Sequence, residues 1–250
     1  MIEWGFEVWL VSVVTVLAAY FIFGLTGFGS SLLSVPVLSH FVPLTFLLPV
    51  CLSLDFIASL QTGLTATGKA DGRELAWTLP PTLIGTVAGV LLLVYLSQQL
   101  LLGALGVFTL GYGLYMLTRI GKPERIVPIA QWWALPAGGL GGLMGATFGV
   151  PGPPYVIYLT RRLTDRAVFQ ATLARVFAAH FLTRIIVFAI AGLYAQPGVW
   201  TAIGVLLPAS VAGVWLGSRV QLRLSQAVFF RVIALLLLVI GGALCLRAFR

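Results

Sequence analysis

The sequence describes an all-α integral membrane protein built as two inverted repeats. Each repeat holds a Gly-rich broken or re-entrant helix pair plus three transmembrane helices. The composition is the first reason: 60% of the 250 residues are hydrophobic and 9% are charged, whereas soluble domains carry about 25% charged residues. Apolar segments of roughly 20 residues recur along the whole length, the length a membrane crossing needs. The second reason is that the chain repeats itself after half its length. The third is the placement of its cations, which sorts cleanly only for one way of counting the crossings. No stretch is polar enough for a separate soluble domain, so residues 1–250 read as one membrane domain.

Phe23-Gly24-Leu25-Thr26-Gly27 returns as Phe148-Gly149-Val150-Pro151-Gly152, an offset of 125 residues. Pro80, Gly85 and Gly89 return as Pro208, Gly213 and Gly217, an offset of 128. Leu96-Ser97-Gln98 matches Leu224-Ser225-Gln226, and Arg119 matches Arg247. Matches in constant order at nearly constant offset mark a duplicated unit. Repeat one covers about 6–122 and repeat two about 129–250.

The elements follow in order. Glu3 and Glu7 stand where a signal peptide carries positive charge, so the start reads as the first membrane helix and not as a cleaved leader. The first unit has apolar runs near 8–23, a Gly-rich break, a short run to 41, then runs near 44–66, 75–96 and 99–118. The second has runs near 131–147, a break, 153–160, 167–194, 199–218 and 227–247. The short runs of about 10–14 residues reach only about 15–21 Å at ~1.5 Å per residue. A bilayer core is about 30 Å thick, so these segments are half-helices or re-entrant arms.

Charge decides the count. If each broken pair goes in and turns back, with the N-terminus outside, one side collects Lys69, Arg73, Arg119, Lys122, Arg125, Arg161, Arg162, Arg166, Arg219 and Arg223. Only Arg247 and Arg250 then lie outside. A single crossing by each pair divides the cations far more evenly. Cytoplasmic loops carry the excess of Lys and Arg, which favours the hairpin count and an N-terminus in the periplasm. Each repeat then has an odd number of segments, and the second is inverted. The net charge of +8 reflects these loops and not a nucleic-acid partner. Inverted repeats with broken helices in matching places are a transporter pattern, with the site where the breaks meet. Irregular backbone at membrane depth is tolerated only where it is buried or lines a wet cavity.

The two breaks, FGLTGFGSSLLSVPVL and GGLMGATFGVPGPPYVIYL, resemble the paired Gly-rich motifs of the TauE/SafE family of sulfite exporters, a 4-toluene sulfonate uptake permease-like group. The resemblance covers nearly the whole chain, including FQATLARVFAAHFL after the second motif. It implies a bacterial inner-membrane protein that moves sulfite or small organosulfonate anions, with export as the direction.

An anion site needs positive potential, which a half-helix N-terminus supplies through free N–H groups and the helix dipole. Gly24, Thr26, Gly27, Phe28, Gly29, Ser30 and Ser31 form the first candidate wall. Its glycines admit close approach, and the Ser30 and Ser31 hydroxyls are expected as further donors to the anion. Gly149, Gly152, Pro153 and Pro154 form the second. There, Pro151, Pro153 and Pro154 have no N–H, so that half is expected to shape the site more than to bind. Close packing of small residues is the plainer reading of both breaks. Charge inside a membrane is costly and points to function. Arg175 lies nine residues beyond Arg166, about 13 Å into its helix, and is expected to face the anion. A structural pairing is its alternative.

Asp55 is the sole acid deep in an apolar run, and Cys51, Asp55, Ser59 and Thr62 share one helix face. At the 125-residue offset Asp55 corresponds to His180 and Ser59 to Arg184. Pairing of Asp55 with His180 or Arg184, as a coupling or gating contact, is therefore expected as readily as a static pair. Cys51 and Cys245 lack metal-site spacing and read as small buried hydrophobes. His40 reads as a passive residue near an outer face, and Arg231 as a snorkelling one. Trp4, Trp9, Trp77, Trp132, Trp133 and Trp200 suit interfacial anchors, while Trp215 is expected to pack deeper.

The expected function is transport of a small anion by a protein that is no enzyme and holds no cofactor or metal. An anion channel of the same fold is the alternative. An intramembrane lipid-phosphate enzyme is the weaker one, since the two histidines stand 140 positions apart and no His/Asp/Glu group has ligand spacing. No G-x-x-x-x-G-K-[ST] loop is present for ATP. Proton coupling and a homodimer stay open.

Overall fold

The computed structural model describes residues 5–26, 29–63, 69–119, 128–219 and 226–248. Among these residues every regular element is helical, and ten α-helices follow one another. They are α1 (Phe6–Thr26), α2 (Ser30–Leu38), α3 (Leu44–Gly63), α4 (Gly72–Tyr95) and α5 (Gln98–Arg119) in the first half. The second half has α6 (Ala134–Phe148), α7 (Gly152–Arg162), α8 (Arg166–Ile190), α9 (Val199–Arg219) and α10 (Gln226–Ala248). Six helices among the described residues are long and apolar enough to cross a membrane: α1, α3, α4, α5, α8 and α9. The all-α integral membrane class is thus as the sequence reads. One difference is that α1, at 21 residues, extends beyond its apolar run at both ends. Glu7 in its first turn complements the positive end of the helix dipole.

Local chemistry fixes the boundaries. Asp71 caps α4 by accepting from the N–H groups of Arg73 and Glu74, and Asp165 caps α8 by accepting from Ala167 and Val168. Gly149 ends α6 in the left-handed region at φ 77. Its own N–H returns to Gly145 and that of Val150 to Met144, which satisfies carbonyls the helix end would leave bare. Gly29, at φ 98, turns the chain into α2.

The helices pack in reciprocal pairs. α1 lies against α9, α6 against α4, α5 against α10 and α3 against α8. In the first two pairs backbone meets backbone. A methyl group on Gly85 would strike the Gly139 carbonyl, and one on Gly217 would strike the Phe21 carbonyl. The repeated glycines of α4 and α9 therefore serve the same purpose, holding the pre-break helix of the opposite half. Gly24 belongs to this contact, since it faces the Val214 carbonyl and Gly217.

Contacts at the two ends give the helix directions. At one end Arg247 donates to the His40 carbonyl, Gln99 to Ala248 and Gln196 to Thr45. At the other, Arg162 pairs with Glu74 at 2.8 Å and donates to the Ile129 carbonyl, while the Asp71 N–H donates to Thr172. α4 runs from the Glu74 end to the Gln99 end, and α9 starts beside Gln196 and runs the other way. α3 is the centre, with Leu47, Leu48, Cys51, Leu52 and Leu54 all buried. Trp77, Trp132, Trp133 and Trp200 are exposed on the outer face. Trp215, expected deeper, is also exposed, with the Arg219 guanidinium 4.3 Å above its ring. That cation–π contact gives the ring a polar cover on the outer surface.

Candidate functional site

The two breaks meet. Gly29, Ser30, Ser31 and Leu32 from the first, and Gly149, Val150, Pro151, Gly152 and Pro153 from the second, line one cavity. Phe23 of α1, Asp55 and Ser59 of α3, and Phe177 and Phe181 of α8 complete it. Its volume of about 50 Å³ is several times the ~10–15 Å³ that one ordered water needs. Both half-helices begin at this wall, α2 at Ser30 and α7 at Gly152. Their positive dipole ends thus converge on the same space.

Asp55 is 4% exposed and fully hydrogen-bonded from two neighbouring helices. Its Oδ1 accepts from the Ser30 hydroxyl at 2.6 Å and the Tyr20 hydroxyl at 2.7 Å, and its Oδ2 accepts from Ser31 at 2.7 Å. The serine hydroxyls were expected to point at an anion; they point instead at this carboxylate. The reason is charge: a buried carboxylate attracts every hydroxyl in reach, because charge-assisted bonds are the stronger ones.

The expected pairing of Asp55 with His180 or Arg184 takes a different form. Asp55 makes no ion pair with either among the described residues. Both are fully buried, yet neither ring nitrogen of His180 has a hydrogen-bond partner, nor do Nε and Nη1 of Arg184. The Arg184 guanidinium lies 5.3 Å from the Phe188 ring centroid, and neither it nor His180 lines the cavity.

Other expected residues fall elsewhere. Arg175 is on the exposed face of α8 and does not line the cavity. Its helical neighbours Leu182 and Ile186 are exposed as well. Gly24 packs on α9, and Pro154 is half-buried in the first turn of α7, outside the lining. Gly27 and Phe28 lie outside the described residues, as does the Thr26 side chain. The residues that sequence reasoning missed are Tyr20, Phe23, Phe177 and Phe181. Tyr20 carried a signal, being a hydroxyl deep in an apolar helix that needs a partner when buried.

The model of the sulfite exporter TauE/SafE family matches residues 12–244. The chain belongs to the TauE/SafE family. A curated relative in Comamonas testosteroni, the "Probable inner membrane transporter protein TsaS", is 28% identical over 197 residues, covering 79% of this chain and 82% of that protein. No solved structure matches. This TauE/SafE chain is therefore a membrane transporter by family, and its two Gly-rich breaks enclose the cavity described above.

Proposed function

We propose that the chain carries small sulfur-containing anions, such as sulfite or organosulfonates, across the bacterial inner membrane. The anion binds in the cavity between the two breaks. One observation carries this reading: two half-helix N-termini from opposite halves of the chain open onto one small cavity. Helix N-termini favour anions, and a break at membrane depth is tolerated where it lines such a space.

The reciprocal packing of α1 with α9 and α6 with α4 supports two units, about 6–122 and 129–250, inverted about an axis in the membrane plane. The excess of Lys and Arg at the Glu74 end supports a cytoplasmic placement for that end and a periplasmic N-terminus. Export is the direction the family description carries.

Thermal shift and flux in proteoliposomes test the reading, with sulfite, thiosulfate, methanesulfonate, 4-toluenesulfonate, sulfate and chloride compared. Stabilisation and flux by a sulfur anion, weakened when Gly152→Val fills the cavity wall, is the expected result. Absence of both for every anion overturns it.

A further inference from the structure

Asp55 sits in the wall of a cavity that, on the transport reading above, receives an anion. A carboxylate and an anion in one small buried space repel each other far more strongly than they would in bulk water. The hydroxyls of Ser30, Ser31 and Tyr20 are all donated to that carboxylate, so they have no proton to offer a second anion. Arg184, in contrast, is a fully buried cation with Nε and Nη1 unpartnered. With Asp55 ionised the two charges sum to zero.

We propose that Asp55 is the proton-coupling residue of this carrier: the cavity accepts a monovalent anion only when Asp55 holds a proton, so one proton crosses with each anion. The proton binds a carboxylate oxygen from water on one side and leaves to water on the other. Charge conservation within the buried site enforces the exchange. Arg184 balances the Asp55 carboxylate in the empty state and the anion in the loaded state, so the site is neutral in both. Protonation also turns the wall from acceptor to donor, because hydroxyls released from a carboxylate can rotate toward the anion.

The neighbours of Asp55 are consistent with this role. α1 contributes Tyr20, α2 the two serines, and its own helix Cys51. α8 contributes Arg184 and, one turn before it, His180, while Tyr194, in the turn after α8, acts on Arg184. Among the described residues, the other helices touching α3, namely α4, α6 and α9, bring no further charge to bear on Asp55. Two consequences follow. A divalent anion arrives with one negative charge too many, so bisulfite and organosulfonates are favoured over sulfate. Net flux also follows the proton gradient, so an inward gradient loads the cell, and export requires an anion gradient that exceeds it.

The experiment uses full-length protein in liposomes with radiolabelled methanesulfonate and 4-toluenesulfonate, both monovalent at every pH tested. An acidic exterior should drive accumulation of about tenfold per pH unit, the equilibrium for one proton per anion. Clamping the membrane potential should leave that ratio unchanged. Asp55→Asn should abolish accumulation yet exchange anion at a rate independent of pH. A pH-sensitive dye in the lumen serves as a check without any variant: inward methanesulfonate should acidify wild-type liposomes. Accumulation that survives collapse of the pH gradient, or a lumen that does not acidify while anion enters, overturns the coupling and leaves the transport reading standing. If wild type moves neither sulfonate nor any other anion, the transport reading falls and takes this inference with it.

Discussion

The two breaks occupy matching places in the chain but do different physical work. The first is rich in donors: Ser30 and Ser31 open α2 and hold Asp55. The second is rich in proline: Pro151, Pro153 and Pro154 flank Gly152 at the start of α7 and offer no N–H of their own, so Gly152 and Tyr155 keep the donors of that turn. The same contrast appears one helix on. Asp55 on α3 has a full set of partners, while His180, its counterpart on α8, has none on either ring nitrogen. The first half supplies the carboxylate and the hydroxyls that hold it; the second supplies shape and the buried Arg184 cation.

That contrast sets the order of expected effects. The largest separates Asp55 from His180. Asp55→Leu strands three hydroxyls and leaves Arg184 uncompensated, a loss of about 3–5 kcal/mol. His180→Leu removes a ring whose nitrogens have no hydrogen-bond partner among the described residues and should cost less than about 2 kcal/mol. Thermal unfolding in detergent reads both, and equal losses would dissolve the distinction.

Next come the two left-handed glycines. Gly149→Ala adds backbone strain and a methyl 3.2 Å from Leu48 and Val35 side chains, for about 2–3 kcal/mol. At Gly29 the methyl meets only Leu32, at 3.8 Å, so strain alone acts, about 1 kcal/mol. The same melting measurement ranks them. Smaller again is the effect of wall chemistry on transport. Ser31→Ala should slow sulfonate flux about tenfold, whereas Pro153→Ala, which restores one N–H, should change it less than about threefold. The smallest effect belongs to Arg175→Ala, within about twofold in the same flux assay. A large loss there would return Arg175 to the site.

The helices are legible because hydropathy, Gly and Pro mark their limits directly, and the cavity-lining Gly29, Ser30, Ser31, Asp55, Gly149, Gly152 and Pro153 stand out in the sequence as breaks or as polar residues in apolar runs. Rotation about a helix axis was harder to read. Counting residues from Arg166 gave Arg175 a depth but not a direction. The direction was present in a different pattern: Thr172, Val176, His180, Arg184 and Phe188 recur every four residues and are all buried. Arg175 stands off that stripe. The serine hydroxyls were misread for another reason, since their partner lies 24 and 25 residues away and no local spacing reveals it. Phe23, Phe177 and Phe181 carry no such mark, because sequence does not distinguish a cavity wall from a bilayer.

The glycine contacts between α1 and α9 also bear on how the protein is made. α1 leaves the ribosome long before the surface it fits, around Gly213 and Gly217. About 190 residues separate the two, on the order of ten to forty seconds of synthesis at ~5–20 residues per second. During that interval α1 has only lipid, α2 and α3 to rest against. Assembly of this transporter therefore completes the α1 contact late, and a nascent chain truncated before α9 leaves α1 without its partner.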